Sequence, residues 1–172
     1  MFRLVRRLLR VGRLTEPRPA LPATAPAGAQ VGVGGATAEV RAVLGGSVQV
    51  RHVDAGSCNG CEIEIGAAFG PVYDAERYGA RLVASPRHAD LLLVTGAVTR
   101  NLAEPLRRTY EAAARPVVVV ALGDCARNCG MFAGGYGVHG PVRDVVPVDV
   151  EVPGCPPPPE AIVAALRSVT GR

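Results

Sequence analysis

Pro116-Val117-Val118-Val119-Val120-Ala121-Leu122-Gly123-Asp124-Cys125 is the stretch that decides the fold. Six apolar residues in a row, mostly β-branched and ended by glycine, are too few for a buried helix. They suit a strand covered on both faces, the habit of parallel sheets with helices on either side. Leu91 to Thr95 repeats the pattern, and Val48, Val50 and Val53 suggest an earlier strand. Arg81 to Ala84 reads as a short strand and Val145 to Val152 as a last one. Helical patterns lie between. In the clearest, Asn101 to Ala114, Asn101 is placed to cap with Glu104, and Leu102, Leu106, Tyr110 and Ala113 form an apolar stripe. A final helix is expected over Pro158 to Val169, with Ile162, Val163, Leu166 and Val169 apolar. This alternation predicts the α/β class: an open, mainly parallel sheet flanked by helices.

Composition and charge bound the rest. The chain has 172 residues, 48% apolar and 20% charged, enough for one domain with a real core. Its longest apolar run is far short of the roughly 20 residues of a membrane-spanning helix. Of the net charge of +4, residues 1 to 18 contribute +5, from six arginines against Glu16, so the remainder sums to −1. With only seven aromatics and no basic face on the folded part, nucleic acid is excluded as a partner.

Three regions follow. Residues 1–16 form a basic amphipathic segment, with Leu4, Val5, Leu8, Leu9 and Val11 opposite Arg3, Arg6, Arg7, Arg10 and Arg13. It suits a helix on an anionic membrane surface or on a partner subunit; a solvated tail and an export signal are the alternatives. Arg10 and Arg13 interrupt the apolar region an export signal needs, so a cytoplasmic location is expected. Residues 17–38, where 15 of 22 are Pro, Gly or Ala, read as a flexible linker. The α/β domain is assigned to 39–172.

The cysteines carry the chemistry. Five is an odd number, and Cys58-Asn-Gly-Cys61 is too close a pair for a structural staple, so a disulfide framework is not expected. Cys58 and Cys61 follow the first strand, Cys125 follows the Val117 to Leu122 strand, and Cys155 follows the last. In an open parallel sheet the loops at the strands' carboxyl ends share one crevice, so these distant thiols are expected to converge. Gly56, Gly60, Gly123 and Gly154 flank them and let the backbone approach sulfur closely. One close pair joined by two distant single cysteines favours a [4Fe–4S] cluster, with structural zinc or a thiol-redox site as alternatives. Cys129 competes with Cys125, which stands nearer the strand end and is preferred.

Five pieces in series identify a resemblance: Asp54-Ala-Gly-Ser-Cys58-Asn-Gly-Cys61-Glu-Ile-Glu64, Pro71 to Gly79, Ser85 to Gly96, Gly123-Asp-Cys125-Ala and Val152-Pro-Gly-Cys-Pro-Pro-Pro-Pro-Glu160. They resemble the 20 kDa subunit family of respiratory complex I, which includes the small subunits of energy-converting [NiFe] hydrogenases and formate hydrogenlyases. The match runs from about residue 46 onward. Complex I proper has adjacent cysteines at the first ligand position; the separated Cys58 and Cys61 look like the hydrogenase branch.

The resemblance implies a flavodoxin-like fold and one [4Fe–4S] cluster on Cys58, Cys61, Cys125 and Cys155. It implies an oxidoreductase subunit that transfers electrons and catalyses nothing alone, peripheral on the cytoplasmic side of the cell membrane. The implied partners are a large hydrogenase-like or complex I 49 kDa-like subunit, a ferredoxin-like iron–sulfur subunit and membrane-arm subunits. The corresponding subunit of an NADH–quinone oxidoreductase, passing electrons to quinone, is the alternative within the family, and a zinc-stabilised structural module the alternative class. Glu64 matches a family glutamate and is a candidate proton-coupled carboxylate, or else a helix-surface acid. Arg87, His88 and Asp90 are expected in ion-pair and capping roles or against the large subunit. His52 and His139 read as ordinary polar residues. Thr95, Gly96 and Thr99 are candidates to line the pocket, and Gly134, Gly135 and Gly137 lack a phosphate-binding fingerprint.

Overall fold

The computed structural model describes residues 32–33, 42–43 and 45–172. The basic segment 1–16, and all of 17–38 except two residues, lie outside them. The chain runs β1 (Gly32–Val33), β2 (Val48–Asp54), α1 (Gly60–Ala68), β3 (Ala80–Leu82), β4 (Leu91–Thr95), β5 (Val98–Thr99) and α2 (Ala103–Ala112). It continues through β6 (Val118–Leu122), α3 (Gly123–Asn128), β7 (Val138–Gly140), β8 (Val150–Val152) and α4 (Pro159–Thr170). Among the described residues the main sheet has the order β1-β8-β6-β4-β2-β3. All neighbours pair parallel except β1, which runs antiparallel to β8. Numbering only the parallel strands along the chain gives 2-1-3-4-5, the flavodoxin order.

Each central strand is buried on both faces because its side chains alternate between two cores. Leu91, Leu93, Val118, Val120, Leu122, Val150 and Val152 pack with Ile65 of α1 and Ile162, Leu166 and Val169 of α4. Leu92, Val94, Val119 and Ala121 pack the other way, with Leu106 of α2, Ala126 of α3, Val142 and Val146. Two aspartates pin the strand starts. Asp90 accepts from the Gln49 N–H at 2.9 Å and Asp149 from the Val119 N–H at 2.8 Å. Each also donates its own N–H to the carbonyl of the same residue, so neighbouring strands are clasped where the ladder begins.

Three expectations change in detail. The last strand covers only Val150–Val152: Val142–Asp144 is a 3₁₀ turn, and Pro147, with no N–H, cannot extend a ladder. Asn101 does not cap α2. The chain turns through a Leu102 N–H to Thr99 C=O bond, and Glu104 binds Arg107 and Arg108 rather than reaching back. Ser85 caps the Pro86–His88 turn through the Arg87 N–H, while no ion pair among the described residues joins Arg87 or His88 to Asp90. The small antiparallel sheet of β5 and β7 has no signal in the sequence pattern, since each strand has only two or three residues.

Replacing Asp90 with alanine should lower unfolding stability by about 1–2 kcal/mol, because the Gln49 N–H loses its acceptor. Urea unfolding of the variant checks this, and an unchanged midpoint would show the clasp to be energetically idle.

Candidate functional site

The parallel register sets the site. Asp54 lies beside Thr95, Thr95 beside Leu122, and Leu122 beside Val152, so four strands end at one level. Cys58 comes four residues after Asp54, Cys125 three after Leu122 and Cys155 three after Val152; Cys61 sits in the first turn of α1. Asp54 Oδ1 accepts from the N–H groups of Gly56 and Ser57, at 2.8 and 2.7 Å, and so shapes the loop that carries Cys58. Thr99 donates its N–H to the Ala55 carbonyl, and Gly96 packs on the Ser57 backbone, so β5 braces that loop from the side.

The loops touch through glycine. At Gly123, where φ is +86°, an added Cβ would stand 2.8 Å from Cys61 Sγ and 3.3 Å from the Gly154 carbonyl. Only glycine suits both the left-handed backbone and the close sulfur. Gly60 lies within ordinary contact of Cys58 Sγ and Pro156. Asp124 ties the second and third loops together. Its N–H donates to the Gly154 carbonyl at 2.8 Å, and its Oδ1 accepts from the Gly154 N–H at 3.1 Å. Arg127 bridges Asp124 and Glu151, each at 3.1 Å.

The thiols act on one another. Cys61 is buried, with its Sγ 3.9 Å from the Leu122 carbonyl, and burial pushes its thiol up to about 12, helped by Glu62 and by Cys125, Cys58 and Cys155. Burial also raises the Cys125 thiol, followed by Cys155 and Cys58. Cys58 and Cys155 are exposed. The cysteine-bearing loops thus open side by side at this edge, with Gly123 against Cys61 Sγ and the Gly154 carbonyl. Cys129 packs with Cys125 in one small buried cluster; it ends α3 in the left-handed region, φ 67°, and its thiol is raised by burial and then by Asp144.

Other candidates distribute as follows. Glu64 is half-buried on α1 and has no hydrogen bond among the described residues; its charge is felt at Tyr73. His139 is exposed. His52 is placed differently: its Nε2 lies 2.9 Å from Thr95 Oγ1 and 3.3 Å from Glu62 Oε1. Glu62, which carries no signal in the sequence beyond following Cys61, is thus an acid held beside that thiol, as Asp124 is beside Cys125. Consecutive helix positions differ by about 100°, so Glu62 and Glu64 leave α1 on opposite sides.

A flavodoxin-order sheet whose cysteine-bearing loops open at its carboxyl edge defines the class, an open parallel α/β protein with its candidate site at the strand ends. The model of the NADH ubiquinone oxidoreductase 20 Kd subunit family matches residues 58–169, and the chain belongs to that family, whose members are subunits of multisubunit oxidoreductases. It is 52% identical over 120 residues to the probable membrane-bound hydrogenase subunit mbhJ of Pyrococcus furiosus, covering 70% of this chain and 72% of that one. It is 47% identical over 125 residues to formate hydrogenlyase subunit 7 of Escherichia coli, covering 73% of this chain and 49% of that one. A solved structure of the membrane-bound sulfane sulfur reductase (MBS), an archaeal respiratory membrane complex, superposes with a TM-score of 0.66 at 32% identity, over 76% of this chain and 72% of that one. No helix among the described residues is long and apolar enough to cross a membrane.

In the metal-free chain at pH 8, iodoacetamide should modify Cys58 and Cys155 well before Cys61. A thiol held near 12 is thiolate in only roughly one molecule in ten thousand at that pH, a fraction that rises about tenfold per pH unit. Mass spectrometry of timed samples reads the order, and equal rates at Cys61 and Cys58 would contradict this site geometry.

Proposed function

We propose that this chain is the electron-transfer subunit of a membrane-bound, complex-I-like [NiFe] hydrogenase or formate hydrogenlyase, carrying one [4Fe–4S] cluster beside the large catalytic subunit. The observation that carries the reading is the register that opens the loops bearing Cys58, Cys125 and Cys155 side by side at one sheet edge, with Cys61 Sγ against Gly123 and 3.9 Å from the Leu122 carbonyl. The donor set fits the cluster. At Gly123 a Cβ would press on Cys61 Sγ, so the loop leading to Cys125 approaches that thiol only as glycine. One close pair joined by two distant single cysteines departs from the two close pairs of a zinc ribbon. When bound, a cubane cluster supplies one-electron transfer with little rearrangement, at a potential set by charge, hydrogen bonds to sulfur and exposure.

The chain's own residues supply position. Asp54 holds the Cys58 loop, Asp124 joins the Cys125 and Cys155 loops, and Gly123 admits Cys61. Beside them the surface is unusually apolar. Met131 and Tyr136 are 82% and 92% exposed, and the 129–138 stretch between Asn128 and His139 contains no charged residue. Such a surface suits burial against the large subunit. Membrane-arm and ferredoxin-like subunits would complete the assembly on the cytoplasmic side, with segment 1–16 toward the membrane. The family's own description favours a quinone-reducing assembly as the second reading; the Cys58-Asn-Gly-Cys61 spacing and the hydrogenase relatives favour the first.

Anaerobic analysis of the purified complex should find about four irons and four sulfides at this site. Cys125→Ser should abolish the corresponding reduced-state EPR signal, and Cys129→Ser should retain it. Zinc in place of iron, with no redox transition, would falsify the electron-transfer reading. Glu64→Gln tests the proton-coupling role the resemblance implies: a changed pH slope of the site's potential in a potentiometric titration supports it, and an unchanged slope removes Glu64 from the role.

A further inference from the structure

Glu62 is held by two strands of the sheet. Thr95, the last residue of β4, is fully buried, and its hydroxyl donates to Glu62 Oε1. With that proton committed, Thr95 Oγ1 accepts from His52 Nε2–H at 2.9 Å, which places the proton of His52 on Nε2. The same N–H stands 3.3 Å from Glu62 Oε1. The hydrogen bonds run one way, from β2 through β4 to the first turn of α1. Every donor reaches the same carboxylate oxygen. The other, Oε2, is buried and accepts from nothing among the described residues.

That arrangement is poor for an anchor alone. A buried oxygen left without a donor costs free energy, and a side chain with a single acceptor would hold α1 equally well. What the carboxylate adds is a fixed, incompletely compensated negative charge one residue after Cys61. Thr95, which holds that carboxylate, lies beside Leu122 in the ladder, and the Leu122 carbonyl is 3.9 Å from Cys61 Sγ.

We infer that Glu62 is a positioning residue for potential: the carboxylate that Thr95 and His52 fix beside Cys61 opposes the arrival of negative charge at the thiolate-held site and keeps its reduction potential low. This deepens the cluster reading above and rests on it. Each electron enters the iron–sulfur core from an external one-electron donor, which is oxidised as the cluster is reduced. No bond forms or breaks, and the added negative charge meets Glu62 at close range in low dielectric.

The test is an EPR-monitored titration of the assembled complex with dithionite through mediators, on the native protein, Glu62→Gln and Glu62→Asp, with iron and sulfide measured on each. Glutamine keeps an oxygen to accept from Thr95 and loses only the charge, so the expected result is a positive shift of midpoint potential with unchanged g-values and iron content. Aspartate keeps the charge and should titrate close to the native protein. An unmoved potential in Glu62→Gln with iron intact overturns the inference and leaves Glu62 as an anchor. Equal shifts in both variants overturn it too, since geometry and not charge would then be responsible. Loss of iron from Glu62→Gln assigns the residue to folding of the site, against the inference. If the native complex itself holds no cluster, the cluster reading fails first and takes this inference with it, an outcome the iron analysis separates from all the others.

Discussion

The register of four parallel strands is the constraint on which the rest depends. Because Asp54, Thr95, Leu122 and Val152 end side by side, the loops that follow begin at a common height. Three of those loops carry thiols within four residues of the strand end. A slip of one residue between any pair would turn every buried side chain to the wrong core, so the packing that stabilises the sheet also holds the thiol loops in place. The Asp90 and Asp149 clasps at the opposite edge reinforce the same alignment.

At the carboxyl edge, packing gives way to polar and steric control. Gly123 and Gly154 have backbone angles of φ +86° and +133°, and the absence of Cβ atoms there lets Cys61 Sγ, the Gly154 carbonyl and Pro157 share a small volume. Asp124 then makes the second and third loops one rigid unit through paired bonds with Gly154. The consequence for function is preorganisation: a group held by thiols from three loops needs those loops set before it arrives, so that electron transfer does not disturb them. The apolar Met131 to Tyr136 loop lies outside this frame, with Met131, Phe132 and Tyr136 exposed.

Much of this is legible from residue patterns. The apolar runs at Leu91 and Val117 locate the two central strands almost to the residue, because a strand buried on both faces has no polar position to blur it. The run from Val145 to Val152 overstates the last strand, since Val145, Val146 and Val148 are packed against the core without being in a ladder, and hydrophobicity does not tell the two apart. Asn101 fails as a cap because the chain enters α2 from a strand, through a turn that local propensity does not see. His52 looks ordinary and Glu62 carries no signal, for their meaning lies in a contact across three elements.

By itself the sequence determined the class of fold, the loops that bear the thiols and the family, because strand periodicity, glycine spacing and cysteine order are all written along the chain. Only the tertiary structure decided which groups stand against which sulfur. It fixed the Glu62 carboxylate against Thr95 and His52 while Glu64 leaves the other side of α1, and it packed Cys129 against Cys125. The physical reason is that burial and charge act through space, over a few ångströms, and those distances exist only once the strands are in register and the helices lie on the sheet.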